Sequence, residues 1–345
     1  MAGPTLTEVA REAGVSLATA SRVLNGSART PAPEIADRVR RTAASLGYVA
    51  NAQAQALARS STRLLGLVVH DIADPYFSSI ARGVQATAAT AHRQVLLAAA
   101  EAVTGVVVPA DAGRRTTSVQ AAVQAFASYR TDAVIIAGSR SADPDPALTD
   151  TLAGYQQRGG RVVTVGQDWV EDASAVVVDN TEGSRALVTA LAADGHGTFA
   201  YLAGPASIVT SEERLAGYRQ GVAEAGVTDL GVHRGGFGSA GGADAVRELL
   251  ATGALRTGRR VTVVAANDVM ALGAAAALSA EGLRVPEDVA LAGFDDIPPL
   301  AFSTPPLTTV RLPLEEIGRH AAELALEPRR RVVHVAGTVV RRASA

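Results

Sequence analysis

The sequence predicts a two-part protein, a small all-α head of helix-turn-helix form followed by a larger α/β body built on parallel strands. Two observations carry this. Residues Thr5–Asn25, TLTEVAREAGVSLATASRVLN, place apolar residues at helical spacing on both sides of a glycine. From Arg63 onward, short apolar runs alternate with helical segments, the pattern of parallel strands buried on both faces. At 345 residues the chain exceeds one ordinary core, so two or three domains are expected. With 48% hydrophobic but only 4% aromatic residues, those cores are aliphatic.

In the head, Thr5 and Glu8 form a capping box, in which each side chain satisfies an amide left orphaned at the helix start. Leu6, Val9, Ala10 and Ala13 then share one face. Gly14 supplies the turn, Val15 plugs the angle between the helices, and Ser16 caps the second helix. Ala20, Val23 and Leu24 face inward, leaving Leu17, Ala18, Ser21, Arg22 and Asn25 outside as small, polar or cationic groups suited to a DNA groove. Taken alone, the stretch equally describes an ordinary helical hairpin. After the turn-forming residues 26–33, a third helix carries Ile35, Val39, Ala43 and Leu46 on one face and stops at Gly47.

Charge is unevenly placed. Up to Ser60, seven arginines stand against four carboxylates, a local +3 on a chain of net charge −2. A basic end on an acidic body fits phosphate binding, and equally a solvated helix face. Next comes YVAN and the segment Ala52–Arg59, good helix formers with one large apolar residue, Leu57. Such a segment is a marginal helix by itself, so it is either a linker or a helix that folds only when something else holds it.

The apolar runs of the body are Leu64–Val69, Val95–Ala99, Ala133–Ala137, Val162–Val165, Ala175–Val178, Phe199–Ala203, Val261–Ala265, Val289–Ala292 and Val332–Val335. They are too many for one such sheet of usual size, so two similar halves are expected, with the break near Val178-Asp179. Ligands of open α/β sheets bind beyond the carboxyl ends of the strands. Polar residues stand there: Asp71, Gln167 and Asp168, Asn267 and Asp268, Asp295 and Asp296. Trp169 and Phe237 lie in loops that can flank the same cleft, and aromatic faces with hydrogen-bonding side chains suit a sugar. A strand-end Asp or Asn also serves as an N-cap, and the sequence leaves the two roles open.

Other chemistries find little support. With no cysteine there are no disulfides and no thiolate metal sites, and the six histidines lack H-E-x-x-H spacing. No G-x-S-x-G elbow or P-loop lysine site occurs, so neither an enzyme nor a bound cofactor or metal is expected. Gly236–Gly241 fits G-x-G-x-x-G, but the preceding Gly-Val-His-Arg-Gly is not a convincing buried strand, which weakens a nucleotide reading. The N-terminus shows no secretory signal and no apolar run is long enough to span a bilayer; a cytoplasmic protein is expected.

Together the helix-turn-helix head, the glutamine-alanine hinge and the bilobed body resemble the lactose and galactose repressor (LacI/GalR) family of bacterial transcription regulators. The match covers essentially the whole chain. Its strongest parts are TLTEVAREAGVSLATASRVLN, SLGYVANAQAQALA, GLVVHDIADPYFSSIARG, YLAGPASIVTSEERLAGYRQG, VAANDVMALGAAAAL, VPEDVALAGFDDIP and PPLTTVRLP. The resemblance implies a helix-turn-helix headpiece (1–47), a hinge helix (48–62) and a periplasmic-binding-protein-like core of two doubly wound lobes. The first lobe takes 63–178 and 311–330, the second 179–310 and 331–345. It implies a homodimer or tetramer that binds double-stranded operator DNA as a repressor, controlled by a small-molecule effector, a sugar or sugar derivative, held between the lobes.

By position, Leu17, Ala18 and Arg22 resemble the base-reading residues, and Thr5, Ser16, Thr19, Ser21 and Asn25 the phosphate or backbone partners. Arg29, Asn51, Ala54 and Leu57 complete the implied DNA contacts, Leu57 as the minor-groove wedge. Arg214, Asn267 and Asp295 resemble effector-binding positions and Phe237 an aromatic stacking position; Asp71, Tyr76, Phe77, Gln167 and Trp169 complete that set. Three departures stand out. Ala50 replaces a frequent proline, Ala102–Gly113 is longer than the usual connection, and Gly166 stands where an acidic ligand group sometimes occurs, leaving Gln167 or Asp168 to substitute.

Overall fold

The structure, a computed structural model, describes residues 4–25, 31–48, 61–100, 118–138, 141–143, 145–256 and 260–345. It divides into two compact units, Met1–Arg63 and Leu64–Ala345.

In the first unit, α1 (Leu6–Glu12), α2 (Leu17–Asn25) and α3 (Pro33–Leu46) enclose one small aliphatic core of Val9, Ala10, Ala13, Ala20, Val23, Ala36, Val39 and Ala43. The expected capping box is present: Glu8 N donates to Thr5 Oγ1 at 3.3 Å and Thr5 N to Glu8 Oε2 at 2.7 Å. Gly14 turns the chain with φ 64°, in the left-handed region that a β-carbon disfavours. Arg38 Nε donates to Ala13 O at 2.9 Å, tying the third helix back to that turn. Val39 and Ala43 of α3 face inward as expected, while Ala36 is buried and Ile35 only half-buried. Leu46 is exposed, because it lies a turn beyond the last core residue, Ala43.

The second unit carries two parallel sheets. The first has six strands in the order β11-β5-β4-β3-β1-β2, comprising β1 (Leu64–Val69), β2 (Gln94–Ala99), β3 (Ala133–Ala137), β4 (Arg161–Gly166), β5 (Ser174–Val178) and β11 (Val332–Val335). The second has four in the order β7-β6-β8-β9, comprising β6 (Thr198–Ala203), β7 (Thr228–Arg234), β8 (Val261–Ala265) and β9 (Val289–Ala292). The central strands are buried almost throughout, as their unbroken apolar runs require. The helices between them are α4 (Pro75–Thr90), α5 (Ser118–Ser128), α6 (Pro146–Gln157), α7 (Asn180–Ala193), α8 (Val209–Ala225), α9 (Ser239–Ala251), α10 (Asp268–Ala280) and α11 (Leu314–Leu326). The doubly wound, two-lobed body expected from the sequence is therefore the body observed.

Three segments join the lobes. The chain leaves the first sheet at Val178 and returns through β10 (Thr309–Arg311) to α11, which packs against α4. It crosses last between β11 and β12 (Thr338–Val340), β12 pairing antiparallel with β10. This corrects the assignment of 331–345 to the second lobe. Val332–Val335 extends the first sheet instead, in register with Ala175–Val178, because β5 would otherwise present an unpaired edge. Only the segment after it reaches the second lobe, where Ser344 Oγ donates to Leu291 O at 2.6 Å and Leu291 N to Ser344 O at 2.8 Å. The strands β7, β10 and β12 were not foreseen, since TDLGVHR, TVR and TVV hold no long apolar run. The segment Ala102–Gly113 lies outside the described residues, as do 49–60 of the expected hinge. Among the described residues, no helix is long and apolar enough to cross a membrane.

The seating of α11 on α4 depends on glycine. A β-carbon at Gly83 would stand 2.0 Å from Glu315 O, and one at Gly318 2.0 Å from Ile80 O. Backbone on both sides leaves nothing flexible to yield. Gly83→Ala is therefore expected to lower stability by about 1–3 kcal/mol or more. Urea unfolding checks this, and an unchanged midpoint would show that the helices part at no cost.

Candidate DNA-reading surface and ligand cleft

On the head, the second helix presents the outer face expected of it. Ser16 caps it, accepting from Thr19 N at 3.1 Å, while its hydroxyl also meets Thr19 Oγ1 at 2.8 Å. Leu17 is 50% exposed despite its size, and Ala18 and Arg22 are exposed beside it. Thr19 and Ser21 are half-buried. Thr5 is taken up by its cap at the start of the first helix. Asn25 ends the second helix. Arg29, Asn51, Ala54 and Leu57 lie outside the described residues. Arg11 pairs with Glu12 at 3.1 Å and Arg40 with Asp37 at 2.9 Å, whereas Arg22 has no ion-pair partner among the described residues. Two opposed helices with a bare cation and small side chains on the outer one can enter a groove and reach base edges.

In the body, the carboxyl ends of the strands converge on one cavity of about 420 Å³, within the range of small-molecule sites. Seven of the nine expected ligand residues line it: Asp71, Tyr76, Phe77, Arg214, Phe237, Asn267 and Asp295. Its centre is Arg214, buried on α8. Nε donates to Asn180 Oδ1 at 2.9 Å, one terminal nitrogen to Ala266 O at 2.7 Å, and the other to Asp295 Oδ1 at 2.7 Å. The guanidinium lies 3.9 Å from the centroid of the Phe294 ring. Burial pushes the Asp295 carboxyl up to about 6, against the pull of Arg214. Of the two roles left open for it, Asn267 takes that of N-cap, accepting from Met270 N at 2.7 Å to start α10; it also lines the cavity, where its Nδ2 donates to Phe237 O at 2.9 Å.

The first-lobe wall comes from the loop after β1 and the start of α4. Asp71 Oδ1 accepts from Ala73 N at 2.7 Å and Asp74 Oδ1 from Tyr76 N at 2.9 Å, each keeping a second carboxylate oxygen. Burial raises the Asp74 carboxyl above its ordinary range and the Tyr76 phenol above its own. Tyr76 and Phe77 meet edge to face, 4.9 Å between centroids. Acceptors, amides, hydroxyls and aromatic faces around one cavity are the equipment for holding a polyhydroxylated ligand.

Two expected ligand residues do not line the cavity. Trp169 is half-buried and packs against the outer core cluster of the first lobe around Val68, Phe126 and Val162. Gln167 is buried at the foot of the cleft and bonded to α8 instead. Asp168, which follows it, pairs with Arg330 at 2.6 Å. The sequence reading missed His70, Asp74, Asn180, Thr210 and Ser239, all of which line the cavity. Only Asp74 carried a local signal: Asp-Pro is an N-cap followed by proline at the first helical position. Among the described residues, no group of three or more His, Cys, Asp or Glu is arranged to hold a metal ion.

A strand does precede the glycine-rich motif, β7 ending at Arg234 and α9 starting at Ser239, but it is an edge strand and mostly not buried. The motif's last glycine is explained by backbone approach: a β-carbon at Gly241 would lie 2.0 Å from Gly236 O. The loop thereby closes tightly on α9 and holds Phe237 at the cavity.

Residues 5–51 match the family described as bacterial regulatory proteins, lacI family, and residues 188–345 the periplasmic binding protein-like domain. The HTH-type transcriptional regulator CelR of Thermobifida fusca is 34% identical over 94% of this chain and 91% of its own. The chain belongs to the LacI family. The regulator GalR of Escherichia coli K12 is 32% identical over 93% of this chain and 88% of its own. Among solved structures, a CelR–cellobiose complex is 31% identical with a TM-score of 0.68, covering 99% of this chain and 100% of that one. The Lac repressor bound to ONPG in its repressed state is 26% identical with a TM-score of 0.81, covering the whole of both chains. This LacI-family chain is thus a DNA-binding transcription regulator and not an enzyme, which disposes of the nucleotide-enzyme reading of Gly236–Gly241.

Asp295 makes stability depend on pH. Its folded value near 6 stands above the ordinary 3.8, so between those values the folded state holds a proton that the unfolded chain has released. Its contribution is greatest below about 3.8 and is lost as pH rises through about 6. Asp295→Asn is expected to flatten the decline in unfolding free energy across that window, and an unaltered slope would place the titration elsewhere.

Proposed function

We propose that this LacI-family chain is a cytoplasmic repressor that binds operator DNA as a homodimer and releases it when a sugar or sugar derivative enters the cleft. The observation that carries the reading is the cleft: buried Arg214 and Asp295 on one wall, Asp71 and Asp74 on the other, and Tyr76, Phe77 and Phe237 as aromatic faces. A cavity so built suits vicinal hydroxyls. The relative solved with cellobiose supports a carbohydrate, and the relative solved as the Lac repressor supports the repressor role.

In this reading Leu17, Ala18 and Arg22 read bases, and Thr5, Ser16, Thr19, Ser21 and Asn25 hold the backbone, with Arg29, Asn51, Ala54 and the Leu57 wedge adding contacts. Residues 48–62 form the hinge between the head and the two lobes. Of the base readers, only Arg22 has a hydrogen-bonding side chain, a fork that matches guanine, whereas Leu17 and Ala18 offer apolar contact to a thymine methyl.

Selection of bound sequences from a random DNA pool, followed by titration of the complex with cellobiose, galactose and related sugars, tests the whole reading. Release by a sugar is expected; tighter operator binding on addition would reverse the assigned direction. Arg22→Ala is expected to relax preference at one base pair of each half-site, costing about 1–3 kcal/mol. An equal loss on all sequences would reduce Arg22 to a phosphate contact.

A further inference from the structure

Gln167 belongs to the first lobe, directly after β4, where Thr164 Oγ1 donates to its backbone carbonyl at 2.8 Å. Its side chain crosses to the second lobe. Nε2 donates to Thr210 Oγ1 at 2.9 Å and to Glu213 Oε2 at 3.2 Å, both on α8. The orientation of this amide is dictated by its partner, because a carboxylate only accepts. The same Glu213 oxygen takes Asn180 Nδ2 at 2.8 Å, and Asn180 Oδ1 takes Arg214 Nε at 2.9 Å. A continuous line of hydrogen bonds therefore runs from the first lobe to the guanidinium at the centre of the cleft. A second tie lies nearby, where Ala142 N donates to Ser207 O at 2.7 Å.

We propose that Gln167 is a positioning residue that latches the two lobes together, its amide reaching Thr210 and Glu213 of the second lobe only when the cleft is closed. Gln167 does not line the cavity, so its part is closure and not ligand contact. Its Oε1 is buried with no partner among the described residues. Opening the cleft returns that acceptor to water, which offsets part of the two bonds lost and leaves the closed state lightly held. A ligand that adds contacts to both walls then shifts the balance toward closure. The inference rests on the cleft being the ligand site, yet its test needs no ligand, so either can fail without the other.

The chain has no cysteine, so a labelled pair can be introduced without background. Ala147→Cys on α6 and Ala240→Cys on α9 are exposed positions near the helix ends that face the cleft. Both carry spin labels in full-length protein diluted with unlabelled chain, and dipolar EPR reads the interlobe distance without ligand. Gln167→Glu places a carboxylate against Glu213 and is expected to move the distance distribution outward. Gln167→Ala lowers the closed-to-open ratio about tenfold, the shift that loss of one good hydrogen bond brings. The double variant Gln167→Glu/Glu213→Gln restores the donor to the other side and is expected to recover the wild-type distance. Unchanged distributions in Gln167→Glu and Gln167→Ala would overturn the latch, as would a double variant that stays open. If Gln167→Glu does not fold, Gln167→Ala alone decides, outward movement supporting the latch and the wild-type distance refuting it.

Discussion

A guanidinium and a carboxylate meet at 2.7 Å inside the second lobe, and the rest of the cleft is arranged around that contact. A buried pair of this kind adds little net stability, since desolvation consumes most of the attraction, but either partner alone would be an uncompensated charge. Each therefore fixes the other. Asp295 has φ 117°, outside the usual range for a side chain with a β-carbon, and surrounding bonds hold it there. Its amide donates to Val310 O at 2.8 Å and its carbonyl accepts from Leu312 N at 3.2 Å. Both partners lie on the chain that returns to the first lobe. The next residue, Asp296, takes Arg311 at 2.6 Å and Arg342 at 2.7 Å, one from each of two crossing segments. Two consecutive aspartates thus join the centre of the cleft to the segments that cross between the lobes.

The head follows a different economy of charge. Two of its arginines, Arg11 and Arg40, are paired with carboxylates, and a third, Arg38, braces the turn before the second helix. Exposed pairs of this sort contribute little to stability but do lower the local field. What remains on the outer helix is Arg22 among small and apolar groups. Leu17 and Ala18 beside it carry no hydrogen-bonding side chain.

Close backbone packing recurs where elements must hold position. Gly83 and Gly318 let α11 press onto α4, and Gly241 lets α9 close on the loop that carries Phe237. A fingerprint that looks like nucleotide chemistry in one dimension is therefore, in three, a device for placing an aromatic ring at a cavity wall. In both places the absence of a side chain serves geometry.

Much of this protein was legible in one dimension. Helical periodicity, the Thr5–Glu8 capping box and Gly14 specify the head, because each acts within a few residues of itself. The buried strands announce themselves as apolar runs, and Asp71, Arg214, Asn267 and Asp295 could be assigned to the cleft from strand ends and a family pattern. The edge strands β7, β10 and β12 could not, because an edge needs no continuous apolar run. The return of Val332–Val335 to the first sheet was hidden as well, since a strand's choice of sheet is made by a free edge far away in the chain. The same distance explains Gln167 and Trp169. Sequence placed both at the cleft, but only the folded lobes show that one amide reaches across to Thr210 and Glu213 while the indole packs against a core. Local order is set by neighbours along the chain; which side chain meets which across a cleft is set by packing between elements that the chain brings together last.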